Sequence, residues 1–356
     1  MVLKNFRNHE IIKINPIKNE NLIGIIDGNG TGKTNILEAI SLLSPGNGIR
    51  SAHLSDIPMQ GGTGEFFCSF EVQIGAELTQ KIEIFYQNGR KKITINEKPV
   101  SSQIELKNIL GLIWITPEIQ MAIASSNTER RKFFDRSVFN FKAEHATLLN
   151  NYDKLIRERL KILELSQNFS QNSWLDSIEK QIAELSIEIS KNRTTCLEEI
   201  QKNIMEMSLA ISLEINCAVI DTIKFNPADC IKIIENKLAQ SRKNDANAAR
   251  TLFGCHRYQV NLKYLTKNAD IEMCSSGEKK YTIMSLLLAI AKSIAHHTNH
   301  APIVLIDEFT SFIDSNLRQI LLNKLLALNC QIWFTGVEVP VINYDAKYYS
   351  ISALVP

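Results

Sequence analysis

The chain has 356 residues, 44% of them hydrophobic and 22% charged, and its formal net charge is +2. This composition is typical of a globular protein with two or three domains, or of one domain with an inserted lobe. It excludes a membrane-spanning helix, because no run of about 18 apolar residues occurs, and the lack of an apolar signal-peptide core predicts a cytoplasmic protein. The small net charge means that any DNA contact needs a local basic patch.

The first predicted elements are a buried strand, a glycine-rich turn and a helix. The strand is Leu22–Ile26, the turn runs through Gly32, and the apolar spacing after Asn35 predicts an amphipathic helix that ends at Ser44-Pro45-Gly46. This order predicts a phosphate-binding loop, in which backbone N–H groups and the helix N-terminus surround an anion. The predicted nucleotide-binding residues are Asp27, Gly28, Asn29, Gly30, Thr31, Gly32, Lys33, Thr34 and Asn35.

Two side chains of this loop have specific predicted roles. Lys33 is placed to reach the β- and γ-phosphates of a nucleotide, and Thr34 to put its hydroxyl on Mg²⁺. Asp27 departs from the usual pattern, which has glycine at that position. Aspartate tolerates the turn conformation, but a carboxylate near the phosphates would weaken nucleotide binding.

Residues 65–100 alternate between apolar and polar side chains and predict an antiparallel β-meander with a tight turn at Asn88-Gly89. A short strand is predicted at Leu112–Ile115, and the pattern from there to about residue 245 is helical. Two antiparallel helices of moderate length, separated by a polar break at 167–172, fit this region.

The last part of the chain returns to alternating helices and strands, which implies a parallel sheet. We therefore predict an α/β fold in which residues 1–115 and 251–356 build one head with a mixed sheet and a β-meander. Residues 116–250 form an inserted α-helical lobe. The seven cysteines include no CxxC pair, so zinc-ligand spacing is absent and we expect reduced, buried thiols.

The apolar strand Ile303–Ile306 delivers two acids, Asp307 and Glu308, to its carboxyl end, where ligands bind in open parallel sheets. Asp307 is predicted to hold Mg²⁺ next to Thr34. Glu308 is predicted to be the catalytic residue that orients or deprotonates the attacking water. A solvated turn or a helix start is the alternative interpretation of such a pair.

About 30 residues earlier, a small hydroxyl-bearing turn precedes a buried helix. Its predicted nucleotide contacts are Ser275, Ser276, Gly277 and Glu278. Taken alone, this segment is better explained as a helix N-cap with an acid in the first turn; its position before Asp307 and Glu308 favours the nucleotide contact.

The order of phosphate loop, long insertion, signature turn and acidic strand resembles the ABC-type ATPase head. Thr310–Asp314 resembles the D-loop of that superfamily, which adds Asp314 to the predicted nucleotide contacts. In such heads the signature of one subunit contacts the γ-phosphate held by the other, so the resemblance implies an ATP-dependent homodimer with Ser275 and Gly277 acting in trans.

Several segments, spread from end to end, further resemble the RecF family of bacterial recombination mediators. They are Leu3–His9, Gly28–Ile40, Thr116–Glu118, Glu129–Arg136, Tyr152–Arg159 and Thr251–Arg257. The resemblance implies ATP and Mg²⁺ as cofactors, gapped DNA with single-/double-strand junctions and recombination mediator proteins as partners, and slow ATP hydrolysis. The alternative is a non-hydrolysing DNA-binding scaffold with a degenerate phosphate loop, for which Asp27 is the reason.

Local basic clusters are the candidate DNA contacts, because phosphates require only nearby Lys and Arg. They are Arg90-Lys91-Lys92, Arg130-Arg131-Lys132 with Arg136, Arg157 with Arg159 and Lys161, and Arg242-Lys243. Exposed helix faces carry such charges for solubility as well, often paired with Glu.

Overall fold

The computed structural model describes residues 1–16, 20–74, 78–100, 105–106, 109–165, 173–217, 219, 227–298 and 300–354. The polar break predicted at 167–172 lies outside these ranges. None of the helices in the described ranges is long and apolar enough to cross a membrane.

The strands are, in chain order, β1 (Val2–Phe6), β2 (His9–Lys13), β3 (Leu22–Ile26), β4 (Phe66–Ile74), β5 (Leu78–Gln87), β6 (Arg90–Ile95), β7 (Lys98–Pro99), β8 (Leu112–Ile115), β9 (Ile211–Asn216), β10 (Gln259–Tyr264), β11 (Ala269–Asp270), β12 (Ile303–Ile306), β13 (Gln331–Gly336) and β14 (Lys347–Tyr349). The α-helices are α1 (Lys33–Ser41), α2 (Pro117–Ser125), α3 (Asn127–Phe141), α4 (His145–Leu165), α5 (Ser173–Glu206), α6 (Pro227–Asn247), α7 (Ser276–Thr298), α8 (Phe309–Phe312) and α9 (Ser315–Ala327).

Contacts divide the chain into two units, of which the first combines Met1–Ala124 with Ser276–Pro356. Its five-stranded sheet is parallel and has the order β14-β3-β13-β12-β8. Its six-stranded sheet is antiparallel, with the order β2-β1-β4-β5-β6-β7. The predicted β-meander is confirmed, and its hairpin turn has Asn88 and Gly89 at φ 52° and 73°, as such a two-residue turn requires.

The hydrophobic core of this unit joins the two sheets through α1. Ile36, Leu37 and Ile40 of the helix are buried with Ile23 of the parallel sheet and Cys68 of the antiparallel sheet. The apolar face that the spacing predicted is therefore the face that packs. Because β3, β13 and β12 are neighbours and parallel, the segments that follow them lie at one edge of the sheet.

The second unit, Ser125–Ser275, contains helices α3–α6 and an antiparallel sheet with the order β11-β10-β9. The sequence interpretation missed β9 and assigned that segment to a helical region. The alternation of Ile211 and Leu213 with polar residues was the available signal, and both side chains are buried against the unit's core. At 34 residues, α5 is longer than the two moderate helices predicted.

Residues 251–275 pack within this second unit, because β10 pairs with β9 along its whole length, from Gln259 to Tyr264. Just before β10, the Nε2–H of His256 donates to the Thr251 carbonyl at 3.0 Å. Its Nδ1 atom therefore accepts from the Tyr152 hydroxyl, at 2.7 Å. The imidazole is held in its neutral form between α4 and the start of β10.

This histidine predicts a stability that depends on pH. Burial, together with the charges of nearby arginines, lowers the pKa of His256 from 6.5 to about 4. Between these values the unfolded chain takes up a proton that the folded chain does not. The free energy of unfolding should therefore fall as the pH is lowered from about 6.5 to about 4, by at most about 3 kcal/mol.

The measurement is urea unfolding of the wild type and of His256→Gln at several pH values across this window. The variant should show a shallower loss of stability with decreasing pH. Equal slopes for the two proteins would contradict the assignment to His256.

Candidate functional site

The loop predicted to bind phosphate connects β3 to α1. Gly30 and Gly32 have φ 80° and 98°, a conformation that side chains with a Cβ rarely adopt. The turn between β1 and β2 packs against the loop, because the Asn8 side chain donates to the Thr31 carbonyl at 3.1 Å and the His9 Nε2 atom lies 3.1 Å from the Gly32 carbonyl. A Cβ on Gly32 would collide with both side chains. Glycine is therefore required here both by its positive φ and by the lack of space for a side chain.

Lys33 and Thr34 occupy the first two positions of α1. The Lys33 ammonium donates to the carbonyls of Asp27 and Gly28, at 2.8 and 2.5 Å, so it lies across the start of the loop. The Thr34 hydroxyl is 3.0 Å from each carboxylate oxygen of Asp307. Two residues that are 273 positions apart thus meet where the sequence interpretation expected them to meet.

Asp307 and Glu308 follow β12 at the carboxyl edge of the parallel sheet. Asp307 is buried and also accepts from the Thr335 hydroxyl at 2.5 Å. The same Thr335 oxygen accepts from the Glu308 backbone N–H at 2.9 Å. Glu308 is exposed and has φ 51°, and a non-glycine residue in this region often marks a functional site.

These groups share one cavity of about 650 Å³ within the first unit. Its lining residues are Asn8, Asn29, Gly30, Gly32, Lys33, Thr34, Asn35, Arg50, Asp307, Glu308, Thr335, Gly336 and Val337. Six of the predicted loop residues, the predicted metal ligands and the predicted catalytic residue therefore surround the same space, whereas Asp27, Gly28 and Thr31 are not among the described residues that line it.

The residues at this cavity fit a magnesium ion. The Thr34 hydroxyl and the Asp307 carboxylate are adjacent oxygen donors, and oxygen is the ligand that Mg²⁺ prefers. Among the described residues, no group of three or more His, Cys, Asp or Glu could hold a metal by itself. A magnesium site built here would therefore complete its coordination with phosphate oxygens and water.

Asn8, Arg50 and Thr335 line the cavity, and the sequence interpretation missed all three. Arg50 donates to Asn35 Oδ1 at 2.6 Å and to Glu38 Oε2 at 3.0 Å. Glu38 is fully buried and also pairs with Arg7, so two cations share one carboxylate. The available signal for Arg50 was an isolated arginine in the turn after α1.

Asp27 does not belong to the described residues that line the cavity. Its Oδ1 atom accepts from the Gly28 N–H at 2.7 Å, and its Oδ2 atom accepts from groups of Ser350 and Ser352. Partial burial raises the pKa of Asp27, but these hydrogen bonds outweigh it and lower the pKa to about 2. The carboxylate is therefore ionised and directed at the C-terminal segment.

The signature turn lies where α7 begins. Ser275, Ser276 and Gly277 are exposed, and Glu278 is half-buried in the first turn of the helix. None of the described cavity-lining residues belongs to this turn. Within the described part of the chain, a Cβ on Gly277 would meet no atom within 4 Å beyond its own helical turn, so packing against these residues does not require a glycine there.

Asp314 is the N-cap of α9, and its Oδ1 atom accepts from the Leu317 N–H at 2.9 Å. Its side chain is exposed. The cap explains an aspartate at this position without a nucleotide, and its predicted nucleotide contact stays a prediction.

The seven cysteines are free, buried thiols.

Two of the basic residues considered for DNA contact are buried in a charged network of the second unit. Arg159 donates to Glu179 at 2.8 Å and to Asp245 at 2.7 Å, and all three side chains are buried. Arg242 pairs with Glu179 at 2.6 Å and with Asp176. Spacing alone could not separate these residues from exposed charges, because helices α4, α5 and α6 bury them jointly.

Three other candidates are buried or half-buried. Arg130 is buried, donates to the Val260 carbonyl at 2.8 Å and pairs with Glu272. Burial lowers the pKa of Arg136 to about 10 and that of Lys91 to about 8. Arg157 and Lys161, by contrast, are exposed on α4.

Comparisons with known proteins give the relationships of the whole chain. Residues 1–353 match the family described as RecF/RecN/SMC N terminal domain. The DNA replication and repair protein RecF of Rickettsia prowazekii (strain Madrid E) is 34% identical over 356 residues, which cover 98% of this chain and 96% of that protein. The protein of the same name from Rickettsia typhi (strain ATCC VR-144 / Wilmington) is 35% identical over 355 residues, covering 97% and 95%.

Two solved structures of the recombination mediator protein RecF in the RecFOR pathway share the fold. RecF-ATPrS superposes with a TM-score of 0.84 at 24% identity and covers 98% of this chain and 94% of that one. RecF-ATP gives a TM-score of 0.81 at 24% identity, covering 98% and 96%. The predicted ABC-type head fold is confirmed, and the chain belongs to the RecF family.

Proposed function

We propose that this protein is an ATP-dependent DNA-binding clamp of recombinational repair and replication restart. It binds ATP, dimerises on it, binds DNA where single- and double-stranded regions meet, and hydrolyses ATP slowly. The observation that carries the proposal is the convergence of Lys33, Thr34, Asp307 and Glu308 on one cavity. Membership of the RecF family supports the link to DNA repair, since the related proteins are named for DNA replication and repair.

Each cavity residue has one role in this proposal. The loop N–H groups and Lys33 bind the phosphates, and Arg50 adds a positive charge to the cavity lining. Thr34 and Asp307 hold Mg²⁺, which neutralises phosphate charge when it is bound. Glu308 orients the attacking water and accepts its proton, since this residue lines the cavity and its backbone N–H is fixed by Thr335.

The exposed signature turn serves the second subunit. Ser275 and Gly277 contact the γ-phosphate of the ATP held by a partner chain, while α7 directs its N-terminus at that anion. A glycine whose Cβ position is open among the described residues fits this role, because the partner's nucleotide needs the open space. One chain alone is then a poor ATPase.

We favour Arg157 and Lys161 as the DNA contacts, because both are exposed on one helix, α4. The other candidate clusters contain exposed residues as well, namely Arg90, Lys92, Lys132 and Lys243. Lys154 lies on the same face of α4, three residues before Arg157, and is also exposed. Such contacts recognise phosphates rather than bases. Binding should therefore weaken with increasing salt.

The non-hydrolysing scaffold was suggested by Asp27 in the phosphate loop. The hydrogen bonds of Asp27 weigh against this alternative, because its carboxylate faces Ser350 and Ser352. Recombination mediator proteins remain the proposed protein partners.

ATP-dependent dimerisation, measured by light scattering with and without gapped DNA, tests the proposal. We expect monomers without nucleotide, dimers with ATP, and more dimer when gapped DNA is added. Lys33→Ala, which removes the proposed phosphate contact, should remain monomeric under all conditions. A wild type that stays monomeric with ATP and gapped DNA would exclude the clamp.

Gly277→Ala tests the proposed contact of the signature turn with the partner's ATP without disturbing the fold. The new methyl group has open space and alanine favours a helix, so the melting temperature should stay the same or rise slightly. ATP binding to the monomer should also persist, whereas ATP-dependent dimerisation should be lost. Normal dimerisation of this variant would show that the signature turn does not approach a partner's nucleotide closely.

A further inference from the structure

The C-terminal segment is brought to the phosphate loop by strand pairing. β14 lies parallel to β3, the strand that leads into the loop, with Tyr348 opposite Gly24 and Tyr349 opposite Ile25. The residues that follow β14 therefore lie beside the residues that follow β3. Ser350 and Ser352 reach Asp27 across 323 and 325 positions of sequence.

The contact between these segments consists of several hydrogen bonds to one carboxylate oxygen. Asp27 Oδ2 accepts from the Ser350 hydroxyl at 3.0 Å, from the Ser352 hydroxyl at 3.0 Å and from the Ser352 N–H at 3.2 Å. The other oxygen accepts from the Gly28 N–H at 2.7 Å. Both oxygens of a charged side chain thus have donors outside the cavity.

The main chain of Asp27 faces the other way. Its carbonyl accepts from the Lys33 ammonium at 2.8 Å, and its N–H donates to the Gly336 carbonyl at 3.2 Å. Lys33 and Gly336 both line the cavity. The residue therefore turns its backbone to the nucleotide cavity and its charge to the C-terminal segment.

We propose that Ser350 and Ser352 form a clamp that holds the Asp27 carboxylate away from the bound phosphates, and that this clamp lets a loop with aspartate at this position bind ATP. The inference rests on the proposed function. Without the clamp, an ionised carboxylate on a loop built to surround phosphates would repel them. Asp27, Ser350 and Ser352 are thus positioning residues of the nucleotide site.

ATP titrations of matched variants test the clamp. Ser350→Ala with Ser352→Ala removes both hydroxyl donors and leaves the N–H groups of Ser352 and Gly28. The carboxylate is then held less firmly, so its repulsion of the phosphates should weaken ATP binding about tenfold. Adding Asp27→Asn, which keeps the size and removes the charge, should restore the affinity. Ser350→Thr with Ser352→Thr keeps the hydroxyls and serves as the control.

The salt dependence of ATP affinity distinguishes electrostatic repulsion by Asp27 from a purely structural effect of the serine substitutions. The loss of affinity in the double alanine variant should shrink as salt rises, because the repulsion is screened. Melting temperatures of all variants should agree closely, since the clamp is largely exposed.

The role of the two serines in holding Asp27 would be refuted by an unchanged ATP affinity in the double alanine variant. It would also be refuted by a loss of affinity that Asp27→Asn does not restore. A wild type whose ATP binding is absent, or insensitive to Lys33→Ala, would refute the proposed function and this inference with it. A gain in ATP affinity from Asp27→Gly alone would refute the role of Ser350 and Ser352 but would leave the proposed function intact.

Discussion

Glu308→Gln is expected to lower the rate of ATP hydrolysis by about 100-fold or more, the usual effect of losing a general base. Glutamine keeps the shape of the side chain but cannot accept a proton from water. The backbone at this position is held by the Thr335 hydroxyl and has φ 51°, so the amide should occupy the place of the carboxylate. ATP binding should persist, and the variant should accumulate as an ATP-bound dimer.

The measurements are phosphate release and light scattering in the presence of ATP and gapped DNA. Glu338→Gln is the matched control, because Glu338 is exposed just after β13 and does not belong to the described cavity lining. It should behave as the wild type. If Glu308→Gln hydrolyses ATP at the normal rate, Glu308 is not the base. If Glu308→Gln stays monomeric with ATP and DNA, the proposed ATP-dependent DNA clamp is wrong.

Arg159→Ala is expected to reduce the free energy of unfolding by about 3–5 kcal/mol, the range for breaking a buried ion pair by removing one partner. The Arg159 guanidinium joins Glu179 of α5 to Asp245 of α6, and it also donates to the Leu238 carbonyl at 2.8 Å. Its removal leaves buried acceptors without their donor. Glu179 retains Arg242 as a partner, which favours the lower part of that range.

Arg157→Ala is the control on the same helix, because Arg157 is exposed. This substitution should reduce the free energy of unfolding by less than about 0.5 kcal/mol. Urea unfolding of both variants gives the comparison. If Arg159→Ala yields no folded protein, Arg159→Lys, which keeps the charge but loses the fork of donors, should show an intermediate loss. Equal stability of the Arg159 and Arg157 variants would contradict the network.

The same pair of arginines also separates folding from DNA binding. Arg157→Ala should weaken binding to gapped DNA with little change in stability. Spacing along α4 placed both residues in one basic cluster, yet one is fully buried and the other exposed. Charge type in a sequence predicts neither burial nor pairing, because the partners of Arg159 lie on two other helices.

The phosphate loop, the acidic strand and the β-meander could be predicted because each depends on contiguous residues. A strand, a glycine turn and Lys33-Thr34 specify a local backbone path, and the tight turn at Asn88-Gly89 specifies a hairpin. The order of these motifs also carried the family resemblance. Strand β9 was missed because its short alternation stands between long helical patterns.

The sequence by itself therefore determined the head fold, the candidate nucleotide residues and the family. The tertiary structure decided which charges are buried, that Arg50 and Thr335 share the cavity, and where the Asp27 carboxylate points. The physical reason is distance along the chain: the Ser350 donor of Asp27 lies 323 positions away. Such contacts form only when a parallel sheet places β14 beside β3, and no local pattern in either segment encodes that pairing.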